Sequence, residues 1–239
     1  MAITGSYVTL TTSDGTAMQA YTAVPDSGKG TFPALMVFQE AFGVNKHIRD
    51  IADRFAAQGY VTIAPEFYHR TAAPGFEVPY TDFASVAPHM QAITNLGLEV
   101  DVRAAWEWLQ KHPQVQHTNI GCIGYCMGGR ISFLANTLLP VKAAVSYYGG
   151  RIVPDLIKNT SALHAPMLFF WGGQDKHIPQ EQIQAIVAEL KKENKEFMNV
   201  EISYADHGFF CDSRASYNKQ AAAEAWPLTL AFLQNRLVV

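Results

Sequence analysis

Hydrophobic and polar residues alternate from Tyr7 to Thr12 and again from Ala17 to Val24, and the two runs flank Asp14-Gly15. Alternation puts successive side chains on opposite faces of a strand, and Asp-Gly between two such runs favours a hairpin turn. The pattern then changes. Ala34-Leu35-Met36-Val37-Phe38 is continuously apolar, as expected of a strand covered on both faces. Ile48, Ile51, Ala52 and Phe55 recur at helical spacing and predict a helix from Ile48 to Ala57, stopped at Gly59. Further strands are expected at Tyr60–Ala64, Ile120–Gly124, Val141–Tyr147, Met167–Trp171 and Asn199–Tyr204. Further helices are expected at Leu98–Gln110, Gly128–Leu138, Gln180–Lys192 and Ala221–Leu233. The stretch Tyr68–Asn95 is aromatic and broken by prolines, and reads as a lid or as an extended loop packed on the sheet.

Strands alternating with helices imply an α/β fold: a mostly parallel twisted sheet, helices on both faces, and an antiparallel N-terminal hairpin at one edge. The length of 239 residues suits one domain spanning 1–239. Hydrophobic residues make up 49% and charged residues 16%. The usual charged share is about 25%, so the chain expects much buried surface and little disorder. A net charge of −3 gives no electrostatic reason to expect nucleic acid or an anionic membrane as partner. No apolar run approaches the roughly 18 residues needed to cross a bilayer. Three cysteines cannot all pair within one chain, and the start has no basic secretory region, so free thiols and a cytoplasmic location are expected.

In open α/β sheets, sites gather at the carboxyl ends of the strands. After the strand at Ile120 comes Gly124-Tyr125-Cys126-Met127-Gly128-Gly129. This is the strand–turn–helix form of a nucleophile elbow, with cysteine in place of serine. A helix N-terminus favours the thiolate there; the plainer alternative is a tight turn around a structural cysteine. After the strand at Met167 comes Gly172-Gly173-Gln174-Asp175, where Asp175 either orients a histidine or closes an Asx turn. After the strand at Asn199 comes Asp206-His207-Gly208-Phe209. Neighbouring loop residues seldom face each other, so Asp175 rather than Asp206 is expected to orient His207. The order Cys126, Asp175, His207 follows the nucleophile–acid–base order of α/β-hydrolases. In that fold the Met127 amide and an amide of the loop after the first buried strand, here Ala41, form the oxyanion hole.

Together Gln39-Glu40-Ala41-Phe42-Gly43-Val44-Asn45, Gly124–Gly129, Asp175 and His207-Gly208-Phe209 resemble the dienelactone hydrolase family. The resemblance runs from about Tyr7 to Leu233. It implies a Cys126–His207–Asp175 triad, with Glu40 contacting the resting thiol and helping to form the thiolate. It also implies hydrolysis of an enol-lactone, carboxymethylenebutenolide, or of other small esters; no cofactor or metal is expected. Family members hold the substrate carboxylate with two arginines. Arg214 fits one; the other is missing, because residues 71–102 contain no arginine and Arg70 and Arg103 only border the stretch. The stretch instead offers Phe76, Tyr80, Phe83, His89 and Met90, a more apolar wall suited to aryl or alkyl esters, and Phe42 and Tyr125 are further expected substrate contacts.

The expected function is hydrolysis of small esters or lactones through an acyl-cysteine. The alternative is metal-free hydrolysis of activated aryl esters and phosphotriesters by the same cysteine; a thiol-redox or non-catalytic protein on this fold comes third. The partner is the small-molecule substrate, and the chain is expected as a monomer or homodimer. The eight histidines show no zinc-site spacing, and His177 reads as a solvent-facing loop residue. Cys122 reads as a buried strand residue, and Cys211 stays unassigned.

Overall fold

The computed structural model describes residues 1–26 and 30–238. It divides into two compact units, Met1–Gly121 and Cys122–Val239.

In the first unit, β1 (Ile3–Thr11) and β2 (Ala17–Pro25) pair antiparallel, with Leu10 opposite Met18. Asp14 closes the turn: its Oδ1 accepts from the Thr16 amide at 3.1 Å and from the Thr16 hydroxyl at 2.7 Å. The buried strands β3 (Phe32–Phe38) and β4 (Val61–Pro65) run parallel, and β2 pairs antiparallel with β4. The hydrogen-bonded order is β1-β2-β4-β3-β5, where β5 is Val115–Tyr125. Helix α1 (Lys46–Ala57) buries Ile48, Ile51, Ala52 and Phe55, as their spacing predicts, and Asn45 caps it by accepting from the Ile48 amide.

The stretch between β4 and the next long helix is not one loop. It contains α2 (Phe83–Ala92), capped by Asp82, whose Oδ1 accepts from the Ser85 amide at 3.1 Å. Only Val86 of this helix is buried and Pro88 lies inside it, so no apolar stripe marks it in the sequence. Helix α3 (Asn95–Lys111) follows, capped by Thr94, and buries Leu98, Val102, Ala105 and Leu109.

In the second unit the order is β5-β6-β7-β8, all parallel, with β6 (Ala144–Tyr147), β7 (Met167–Gly172) and β8 (Phe197–Ile202). The described residues form eight strands in all. Every residue of β6 and β7 is buried. The helices are α4 (Met127–Leu138), α5 (Gln180–Lys192) and α6 (Lys219–Leu237). Strand β6 is shorter than its apolar run, and α6 extends beyond its predicted end despite Pro227 within it. No helix among the described residues is long and apolar enough to cross a membrane.

One buried carboxylate ties the stretch after β4 to its surroundings. Asp101 of α3, 1% exposed, accepts from both terminal nitrogens of Arg70 at 2.8 Å and lies 3.0 Å from His69 Nε2. Arg70 reaches on to Asp14 Oδ2 of the hairpin turn at 2.7 Å. Removing Asp101 strands a buried histidine and half of an arginine's partners. Asp101→Ala is therefore expected to cost about 3 kcal/mol in urea denaturation, as for a broken buried pair. A loss under about 1 kcal/mol would assign the cluster to the surface class.

Candidate active site

Cys126 lies where β5 gives way to α4, with φ 53° and ψ −115°, a backbone region that side chains disfavour. Two close approaches hold it there. A Cβ at Gly124 would lie 1.9 Å from the Gly128 carbonyl oxygen. A Cβ at Gly129 would lie 2.8 Å from both Gly149 Cα and Ser146 Oγ. Neither position admits a side chain. The Cys126 amide donates to the Tyr147 carbonyl and the Gly129 amide to the Cys126 carbonyl, both at 3.0 Å. The turn leaves the thiol half-buried at the first turn of α4.

His207 sits in the loop after β8, and its Nδ1 lies 2.7 Å from Asp175 Oδ2. Asp175, in the loop after β7, uses its second oxygen as well: Oδ1 accepts from the His177 amide at 2.7 Å. Asp206 takes a different part. Its Oδ1 accepts from the His207 backbone amide at 2.6 Å, which shapes the turn. The structure thus brings Cys126, His207 and Asp175 together, all within the second unit.

Burial works against a charge on His207. The Cys126 sulfur charge and the hydrogen bonds to Asp175 and Cys126 outweigh it and push its pKa up to about 10. Burial also works against a charge on Asp175, but the hydrogen bond and charge of His207 win and hold the carboxyl below the usual range. His207 therefore favours the imidazolium, held against the Asp175 carboxylate. Cys122 contrasts with this. It is fully buried in β5, and burial pushes its thiol up to about 12, which leaves it inert. Cys211 is also buried.

Other predicted residues fall as follows. Arg214 packs on the backbone next to His207, since a Cβ at Gly208 would lie 2.6 Å from the Arg214 Cζ. Tyr125 is fully buried, its ring 4.9 Å from Tyr147 and 5.6 Å from Phe210. In the first unit, Glu40 is fully buried and Ala41 is 2% exposed. The Ala41 carbonyl accepts from the Tyr68 hydroxyl at 2.7 Å, and Gln39 Oε1 accepts from the Phe67 amide at 3.2 Å. Phe42 lies 4.6 Å from the Tyr80 ring, and Phe76 lies 5.9 Å from Tyr68 and 4.4 Å from His89. Phe83 stands apart on α2, 54% exposed. Both arginines bordering the arginine-free stretch are engaged, Arg70 with Asp14 and Asp101, and Arg103 with Glu99.

Two rings beside His207 were not expected there from the sequence. Tyr148, fully buried, lies 5.1 Å from it. His177 lies 5.2 Å from it with an interplanar angle of 73°. His177 is exposed as expected, yet its ring is not simply in solvent. Its position two residues after Asp175 was the only hint.

The sequence matches the dienelactone hydrolase family over residues 18–237. A protein of Synechocystis, provisionally named a carboxymethylenebutenolidase, is 38% identical over 87% of this chain and 88% of its own length. A protein of the same name from Salmonella typhimurium is 34% identical over 92% of this chain and 83% of its own. Among solved structures, a Klebsiella pneumoniae protein provisionally called a dienelactone hydrolase superposes with a TM-score of 0.90 at 31% identity, covering 98% of this chain and 99% of its own. A dienelactone hydrolase-like promiscuous phosphotriesterase from metagenomic libraries superposes with a TM-score of 0.86 over 99% of each chain; at 22% identity this shows a shared fold.

The His207 imidazole is expected to titrate near pH 10 in a proton-detected NMR titration, and a midpoint near 6.5 would contradict the ion pair. The sign for stability follows. A histidine whose pKa rises on folding contributes stability in full below about 6.5, and loses it as pH rises through its folded value of about 10. The Tm deficit of His207→Gln should therefore shrink between neutral pH and pH 10.

Proposed function

The chain belongs to the dienelactone hydrolase family and is a hydrolase; we propose that it cleaves small carboxylic esters or lactones through an acyl group carried on Cys126. The observation that carries the proposal is geometric: His207 Nδ1 lies 2.7 Å from Asp175 Oδ2, and Cys126 stands half-buried at the tight turn into α4.

The chemistry follows from that pair. The Cys126 thiolate adds to the carbonyl carbon, and the carbonyl electrons move onto oxygen. The Met127 amide, at the start of α4, donates to this oxyanion; such a donor is typically worth about 10²–10³ in rate. The tetrahedral species collapses, the C–O bond to the leaving group breaks, and His207 gives its proton to the departing oxygen. A thioester remains, with His207 neutral. His207 then takes a proton from water, the hydroxide adds to the thioester carbonyl, and the thiolate leaves. Asp175 keeps Nδ1 protonated throughout, so that the other ring nitrogen faces the reacting atoms. The Ala41 amide as second donor, and Glu40 as the carboxylate that promotes the thiolate, enter the proposal through the family resemblance.

Substrate choice is proposed to rest on Arg214, beside His207, for an anionic group; Phe42, Phe76 and Tyr80 enter the proposal from the sequence reading, as apolar contacts. Tyr125, sealed in its aromatic stack, supports the elbow from within the core. A thiolate nucleophile works where thiols stay reduced, so the proposal includes a cytoplasmic location. Activated aryl phosphotriesters make the same demand, an oxygen that gains charge as sulfur attacks, and belong in the same substrate panel.

Aryl esters of graded chain length, an enol-lactone and an aryl phosphotriester assayed with chelator present test the proposal. Wild type should show burst kinetics on its best ester. Cys126→Ala should lose the burst and about 10⁴-fold or more in kcat/KM. Full activity in that variant would end the assignment.

A further inference from the structure

We infer that His177 is a positioning residue: its ring braces His207 in the orientation that Cys126 and Asp175 require. The inference deepens the proposed function and rests on that mechanism. His207 must serve two partners in turn, the leaving group and the attacking water, without releasing Asp175. A single hydrogen bond fixes one edge of an imidazole but leaves the ring able to tilt about it. Something must therefore hold the ring's plane.

Two rings adjoin it. Tyr148, at 5.1 Å, is fully buried and fixed by the fold around it. His177, at 5.2 Å and 73°, meets His207 edge to face, an arrangement that aromatic rings favour. The rest of His207 is nearly enclosed, its side chain 10% exposed, while His177 is an exposed residue. Of these two rings, His177 is thus the one on the solvent side of His207.

An exposed ring can brace another only if its own backbone is held. Here it is held twice. The His177 amide donates to Asp175 Oδ1, the oxygen that His207 does not use. The next residue, Ile178, is 4% exposed and anchors the loop in the core before Pro179 and α5. The same short segment therefore supplies the orienting carboxylate and the bracing ring. Both oxygens of Asp175 are spent on fixing the geometry of His207, one directly and one through His177.

The bracing role belongs to the ring's shape and not to its ionisation, which gives a sharp test. Wild type, His177→Ala and His177→Phe are compared on one aryl ester by stopped-flow burst amplitude and rate, kcat and KM. His177→Ala is expected to slow the burst and kcat about tenfold, as for a displaced catalytic group, with KM within about twofold. His177→Phe is expected to restore at least half of the lost rate. An unchanged kcat in the alanine variant, or a phenylalanine variant as slow as alanine, would overturn the inference. So would a rise in KM with kcat intact, which would make His177 a substrate contact. A wild-type enzyme without a burst overturns the mechanism and the inference together; a wild-type burst with unaltered variants overturns the inference alone.

Discussion

The backbone at Cys126 turns through φ 53° and ψ −115°, and it does so because Gly124 and Gly128 meet at a distance no side chain allows. A strained turn persists only where its surroundings over-determine it. Here they do. Strand β5 is buried along Ile120–Tyr125, β6 supplies the Tyr147 carbonyl to the Cys126 amide, and Gly129 and Gly149 let α4 press against the loop after β6. The turn gives the thiol its half-exposed place at a helix N-terminus, where negative charge is favoured.

The second dependence is electrostatic. His207 is nearly enclosed, and burial alone would keep it neutral. The Cys126 sulfur and Asp175 reverse that, so the His207 imidazolium and the Asp175 carboxylate stand as an ion pair. Such a pair keeps its strength only where water is scarce. The aromatic packing under the elbow provides that environment: Tyr125, Tyr147 and Phe170 stack in succession, with Phe210 against the first two. Catalytic charge and hydrophobic core are thus adjacent parts of one arrangement.

The sequence exposed the parts that follow from periodicity and from order along the chain. Alternation around Asp14-Gly15 located the hairpin, the apolar runs located the buried strands, and α5 fell on its predicted bounds. Cys126, Asp175 and His207 were legible because each follows a strand. What stayed hidden lacks a period. Helix α2 buries one residue and contains a proline, so nothing distinguishes it from loop. The Asp14–Arg70–Asp101–His69 cluster joins residues far apart in sequence, and only the folded chain makes them neighbours. His177 lay in view two residues after Asp175, but side-chain direction in a loop is set by tertiary contacts. The same limit applies to Tyr125, which adjoins Cys126 in sequence yet lies wholly in the core.

The central claim is that Cys126 carries the acyl group during turnover. Rapid acid quench of the enzyme with an aryl acetate, followed by intact-protein and peptide mass spectrometry, tests it directly. The account predicts one acetyl group on the peptide containing Cys126, forming at the burst rate and decaying at the steady-state rate. Turnover without that adduct, or with the acetyl group on another residue, would contradict it.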